Sequence, residues 1–254
     1  MELRKDPLIT IITVCYNSDK TIIRTISSVL KQTYQNWEYI LVDGKSQDRT
    51  VELINEVSKN DNRILYISEK DDGLYHAMNK GINMSKGDII GIINSDDWYE
   101  TNALDIVASM FKNHGSGVYH GYERKIVDGQ PISIEFAYAT NLEAKMIQHS
   151  TCFVTRDIYA QHGIFNTRFK FCSDYDLMLR LKDNNTKFIV MPTVISNFTV
   201  GGLSATKKAS IESLKMLHEK NIIKKRKYIE KRAVLELKSF FSFLKGTFSR
   251  KSSK

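Results

Sequence analysis

The chain has 254 residues, a net charge of +8 and a composition that is 42% hydrophobic and 26% charged. That is room for one generous domain with a core of its own, and no apolar stretch reaches the ~18 residues that suggest a membrane-crossing helix. Cys15, Cys152 and Cys172 are odd in number and scattered among apolar neighbours, which excludes a disulfide framework or a zinc knuckle, and residues 1–6 are short and charged, unlike a secretory leader; the expectation is a cytoplasmic protein.

In chain order, Leu8 to Tyr16 is a β-branched apolar run too continuous to have a solvated face, so it reads as a buried strand. Asn17-Ser18-Asp19 offers capping side chains, and Ile22, Ile23, Ile26, Val29 and Leu30 recur at helical spacing. Trp37 to Val42 is a second strand. Asp48 is placed to cap a second helix with Val51, Leu53, Ile54 and Val57 on its apolar face. Ile64 to Ile67 is a third strand, Leu74 to Met84 a third helix and Asp88 to Ile93 a fourth strand. Strand and helix alternating with short joints imply parallel strands with right-handed crossovers, so residues 1–100 read as a doubly wound α/β half. Residues 101–203 change character. Tyr119 to Ile134 holds short strands around an Asp128-Gly129 hairpin signal, followed by a strand at Cys152 to Thr155, a helix from about Asp174 to Asp183 and a strand at Lys187 to Met191. No linker divides the halves, so this is an α+β elaboration of the same sheet.

Ligands of open α/β sheets bind at the carboxyl ends of the strands. Here those ends carry Tyr16-Asn17, then Asp43-Gly44-Lys45-Ser46, then Glu69 to Gly73, then Asn94-Ser95-Asp96-Asp97. Two adjacent carboxylates are costly to desolvate together, and a hard divalent cation such as Mg²⁺ or Mn²⁺ would relieve them. The competing reading has Asp97 cap a helix beginning near Thr101, with Asp96 a solvated loop charge.

The ordered set PLITIITVCYNS, VDGKSQDRT and DDGLYHAMNKGINMSKGDIIGIINSDDW resembles the family-2 glycosyltransferases of GT-A fold, over roughly residues 7–203 and especially those members that build bacterial surface polysaccharides. The resemblance implies that Thr13, Tyr16 and Asn17 border a nucleotide, that Asp43 reads its base beside Gly44 and Ser46, and that Asp72, Gly73, Asn79 and Lys80 line nucleotide and diphosphate. It makes Asp96 and Asp97 the metal motif, with Asn94 standing where an aspartate is usual. Asp97 is then expected on the metal, and Asn94, Ser95 and Asp96 nearer the ribose or donor sugar. Phe171 to Leu177 resembles the family's E-D-x-D-L segment with Ser173 in place of glutamate, which implies that Asp174 is the general base; the rival reading is a helix-capping carboxylate. His149 and Trp98 are weaker acceptor-side candidates, with structural roles as their alternatives. Asn197 to Ser204 (NFTVGGLS) resembles a loop that closes over the donor. No Q-x-x-R-W signature of processive synthases occurs, which implies one sugar per acceptor.

Residues 205–254 hold fifteen Lys/Arg against four Asp/Glu, whereas the remainder holds twenty-two against twenty-five. Val234, Leu237, Phe240, Phe241, Leu244 and Phe248 share one helical side, among Lys231, Arg232, Lys238 and Lys245. This basic tail, 204–254, reads as a helix lying on an anionic membrane, with packing on the body and a nucleic-acid arm as alternatives. The combined expectation is an inverting, Mn²⁺- or Mg²⁺-dependent transferase at the inner membrane face. It would move one sugar from a nucleoside diphosphate donor, a UDP-sugar first, to a lipid-linked or surface glycan. A nucleotide-sugar-binding or nucleotidyltransfer enzyme is the alternative, and nucleic acid is not an expected partner.

Overall fold

The computed structural model of the chain describes residues 6–202 and 206–237. One nine-stranded sheet organises them. Strand β1 (Ile9–Cys15) is buried along its whole length, because it lies between β2 (Trp37–Asp43) and β4 (Ile89–Ile92), parallel to both. With β3 (Ile64–Ser68) outside β2, the order β3-β2-β1-β4 forms the parallel half, and the crossovers are α1 (Ile22–Leu30), α2 (Thr50–Ser58) and α3 (Leu74–Met84). Alternation along each strand splits the core between the two faces. Ile9, Ile11, Tyr39 and Leu41 pack on one side with α1 and with α4 (Ala103–His114). Ile12, Val14, Ile40 and Val42 pack on the other with Tyr75, Met78 and Ile82 of α3. Where α3 crosses β1 the chain needs Gly81, since a Cβ there would come within 2.5 Å of Ile12.

The second half extends the same sheet. β8 (Phe153–Thr155) inserts antiparallel between β4 and β6 (Val118–Val127), and β9 (Phe188–Thr199) follows parallel to β6. β7 (Gln130–Glu135) folds back on β6 through Asp128-Gly129, both at positive φ, as the hairpin signal predicts. α5 (Arg156–His162) and α6 (Ser173–Asp183) complete this half, and α6 adds Leu177, Met178 and Leu181 to the core cluster of the α3 face.

Two expectations change. The strand predicted at Lys187 to Met191 continues to Thr199, because β6 offers it a partner throughout and β5 (Trp98–Tyr99) pairs its far edge. The first three residues of NFTVGGLS are therefore strand, Val200 to Gly202 form a turn, and Leu203 and Ser204 lie outside the described residues. The segment after 203 is also not uniformly a tail. α7 (Lys207–Glu219), capped by Thr206, buries Leu214, Met216 and Leu217 in the core of the α3 face, and a helix over 225–237 lays Tyr228 and Leu235 against the same cluster. The apolar positions Val234 and Leu237 are exposed; Phe240, Phe241, Leu244, Phe248, Lys238 and Lys245 lie outside the described residues. Among the described residues no helix is long and apolar enough to cross a membrane.

Candidate functional site

A cleft of about 1050 Å³ opens at the carboxyl ends of β1 and β4 and runs across to β6, the segment 146–150 and the start of α6. Its first wall is made by loops tied to one another. Asn17, at positive φ, receives a hydrogen bond from Gln47 N on its Oδ1 and donates its own N–H to Ser46 Oγ, and Ser18 Oγ meets Ser95 Oγ at 2.8 Å. Tyr16, Asn17, Gly73, Asn94, Ser95 and Asp96 face this space.

The adjacent carboxylates avoid each other by entering different environments. Asp97 is fully buried: Oδ1 accepts from Thr199 N at 2.8 Å, Oδ2 from Asn94 Nδ2 at 3.3 Å, and its backbone oxygen from Thr25 Oγ1. Burial, reinforced by Asp96, raises its pKa well above the ordinary aspartate value. It is not a helix cap either, since α4 starts at Ala103 behind Asn102. Asp96 is half-buried and faces the cleft near Gly202, with burial raising its pKa as well; its backbone oxygen is held by Arg24 and Thr199. Of the two carboxylates, Asp96 and not Asp97 is thus the one open to the cleft.

Asn94 Oδ1 is buried in the same wall without a partner among the described residues. An amide oxygen and one carboxylate are hard donors that suit Mg²⁺ or Mn²⁺, provided water and substrate phosphates complete the shell. No group of three or more His, Cys, Asp or Glu able to hold a metal occurs among the described residues.

Several residues expected at the ligand lie behind this wall. Thr13 is buried and accepts from Tyr39 OH. Asp43 is fully buried, its oxygens taken by Ser46 N, Ser46 Oγ and Ser68 Oγ, so it knots the loop together and is not free to read a base. Gly44 and Ser46 belong to that knot. A Cβ on Gly44 would lie 2.8 Å from Asp71 Oδ2, and it is Asp71, not exposed Asp72, that faces the cleft. Asn79 brackets the Phe165 backbone with both amide atoms, and Lys80 pairs with Glu69 at 2.8 Å. Trp98 is half-buried and does not line the cleft, and the Arg24 guanidinium covers one face of its ring at 3.9 Å.

The opposite wall holds Asp174 in the first turn of α6. The N-cap position is Cys172, so Asp174 is not the cap; it receives the Tyr75 hydroxyl on Oδ1 at 2.7 Å. Burial, and then the Asp174 charge, raise the Tyr75 pKa well above its ordinary value, so the phenol stays a donor. Beside it His149 packs edge-on to Phe165, and burial lowers its pKa, which keeps the ring neutral. Sequence reasoning gave no role to Glu123, Lys125 or Gln148, which stand nearby. Glu123 accepts from Ser150 and pairs with Lys125 at 2.5 Å, and Lys125 sits over the Phe198 ring. Gln148 lines the cleft with its Oε1 unpartnered among the described residues and only 7% of its surface exposed. The available signal was the Glu123/Lys125 spacing, which puts two charges on one face of a mostly apolar strand.

The family model of glycosyl transferase family 2 matches residues 10–167. The chain belongs to that family. It is 33% identical over 199 residues to the Escherichia coli UDP-Glc:alpha-D-GlcNAc-diphosphoundecaprenol beta-1,3-glucosyltransferase WfgD, covering 76% of this chain and 77% of that one. It is 36% identical over 107 residues to glycosyltransferase GlyA of Streptococcus pneumoniae, of which it spans only 15%, and it spans 27% of an Escherichia coli chondroitin synthase. Among solved structures, S. aureus TarS in complex with UDP-GlcNAc superposes with a TM-score of 0.69 at 16% identity, over 92% of this chain and 73% of that one. Mannosyltransferase PcManGT from Pyrobaculum calidifontis, in complex with GDP-Man and Mn²⁺, gives 0.66 at 18%, over 91% and 69%. At these identities the two structures bear on the fold, which is the curled, mostly parallel α/β sheet of the family.

Proposed function

We propose that this chain is a divalent-cation-dependent, inverting glycosyltransferase that moves one sugar from a nucleoside diphosphate sugar to a lipid-linked or surface glycan. The observation that carries this reading is a single cleft with a cation-competent wall, Asn94 and Asp96, facing a wall with an oriented carboxylate, Asp174 held by Tyr75. Residues 1–100 would hold the nucleotide, with Tyr16, Asn17 and Asp71 closest to it, and residues 101–203 the acceptor. The TarS complex with UDP-GlcNAc and the WfgD name support a UDP-sugar and a diphospholipid acceptor, and the PcManGT complex supports Mn²⁺. Asp96 and Asn94 would hold the cation, which would supply positive charge to the leaving diphosphate.

The remaining chemistry belongs to the chain's own groups. Asp174 takes the proton of the incoming hydroxyl while that oxygen bonds to the anomeric carbon, and the carbon–oxygen bond to the diphosphate breaks with its electron pair. A single displacement inverts the configuration. Tyr75 fixes which Asp174 oxygen is free, and neutral His149 leaves that proton to Asp174. The basic residues after 223 favour residence at the cytoplasmic face of an anionic membrane.

The test is product analysis: a wild-type chain given donor and acceptor should release nucleoside diphosphate and form a glycoside of opposite anomeric configuration, and Asp174→Asn should bind donor without transfer. Release of inorganic diphosphate, or retained configuration, would sink the reading.

A further inference from the structure

The segment that carries Asp174 into the cleft has no cap of its own. Cys172 holds the N-cap position of α6 and makes no side-chain cap bond, and the Ser173 hydroxyl is buried without a partner among the described residues. Three consecutive backbone N–H groups just before the helix nevertheless converge on one carboxylate, that of Glu212 on α7. Oε1 accepts from Lys170 N at 2.9 Å, and Oε2 from Phe171 N at 2.6 Å and Cys172 N at 3.1 Å. Successive N–H groups turned to one point form an anion nest, here at the positive end of the α6 dipole. Two more ties join the same partners: Arg168 to Glu219 at 3.0 Å, and Lys220 to Asp176 at 2.8 Å, with Asp176 only 4% exposed. Beside these ties a groove of about 440 Å³, lined by Phe169, Phe171, Lys208, Ile211 and Lys215, separates segment from helix. Phe169 and Cys172 anchor the segment in the core, and beside the groove the polar clamp holds the backbone N–H groups of residues 170–172.

We infer that Glu212 is a positioning residue for Asp174, and that α7 is part of the transfer machinery and not the beginning of a detachable tail. This rests on Asp174 being the base. Tyr75 sets the rotation of the Asp174 carboxylate, and Glu212 sets the backbone two residues before it. Without the Glu212 charge, three N–H groups compete for one neutral acceptor and the first turn of α6 shifts. A displacement of about 1 Å at a reacting group costs up to ~100-fold in rate. The donor-side groups Tyr16, Asn94 and Asp96 stand on the ends of β1 and β4 and do not touch Glu212, so donor affinity is spared.

The experiment uses the full chain with Mn²⁺ and three donors, UDP-glucose, UDP-GlcNAc and GDP-mannose, with water as acceptor and nucleoside diphosphate release as the signal. Wild type is compared with Asp174→Asn, Glu212→Gln and Glu212→Asp. The expected result is that Asp174→Asn is inactive and that Glu212→Gln loses roughly 10- to 100-fold in kcat at unchanged donor KM. The shorter carboxylate of Glu212→Asp should fall between, and it decides the matter alone should Glu212→Gln not fold. Wild-type kcat in the Glu212 variants, or a donor KM that worsens in step with kcat, overturns this inference while leaving Asp174 as the base. Activity retained by Asp174→Asn, or no turnover of any donor by wild type, overturns the underlying reading and this inference with it.

Discussion

Asp96 and Asp97 differ by one position and by everything in their surroundings. The paired carboxylates after a buried strand signalled a site, but which one faces it is decided by Thr199, 102 positions away, whose N–H draws Asp97 inward. No local pattern holds that information. The same applies to Asp43, which looked like a ligand residue until Ser46 and Ser68 were seen to saturate it. The consequences are separable. Asp97→Ala leaves the Thr199 N–H and the Asn94 amide short of an acceptor, so it should lower the thermal midpoint by an amount equivalent to about 1–3 kcal/mol. Asp96→Ala removes a carboxylate facing open space and should melt like wild type. Melting curves of the two variants check this, and the reverse order would mean that Asp97 is not the buried partner of β9.

At the scale of elements, the strands and helices of the parallel half follow from hydrophobic periodicity almost residue by residue, whereas β5, the length of β9 and the docking of α7 depend on distant partners. β6 carries a liability of its own. His120 is fully buried, stacked parallel to Phe136 at 5.5 Å, with both ring nitrogens unpartnered among the described residues. Burial lowers its pKa to about 4. Between that value and the ordinary 6.5 the unfolded chain binds a proton that the folded chain refuses, so stability falls as pH drops through this window. His120→Phe removes the titration, and its thermal midpoint should gain on wild type steadily from pH 7 to pH 4; a pH-independent difference would contradict the assignment. α7 makes a second prediction. The charge pattern marked everything after 204 as a basic tail, but Leu214, Met216 and Leu217 are core residues. A chain ending at 202 should therefore fail to fold, while one ending at 237 should keep soluble transfer and bind anionic vesicles more weakly, as judged by solubility, activity and co-sedimentation.

For the whole molecule, the sequence resolved the doubly wound half, the single continuous sheet and the neighbourhood of the cleft, because those follow from local pattern and from the rule that ligands bind at strand carboxyl ends. It did not resolve the acceptor wall. Glu123, Lys125, Gln148 and Tyr75 come from three separate segments whose meeting is set by β8 inserting between β4 and β6. The central claim is that this cleft binds a nucleoside diphosphate sugar through a cation on Asp96. Calorimetric titration of UDP, UDP-glucose, UDP-GlcNAc and GDP-mannose into wild type and Asp96→Ala, each with and without Mn²⁺, tests it most directly. The account predicts that at least one nucleotide binds wild type more tightly with Mn²⁺ and that Asp96→Ala loses the whole of that gain. Equal affinity with and without Mn²⁺, or a gain that survives in Asp96→Ala, would contradict it.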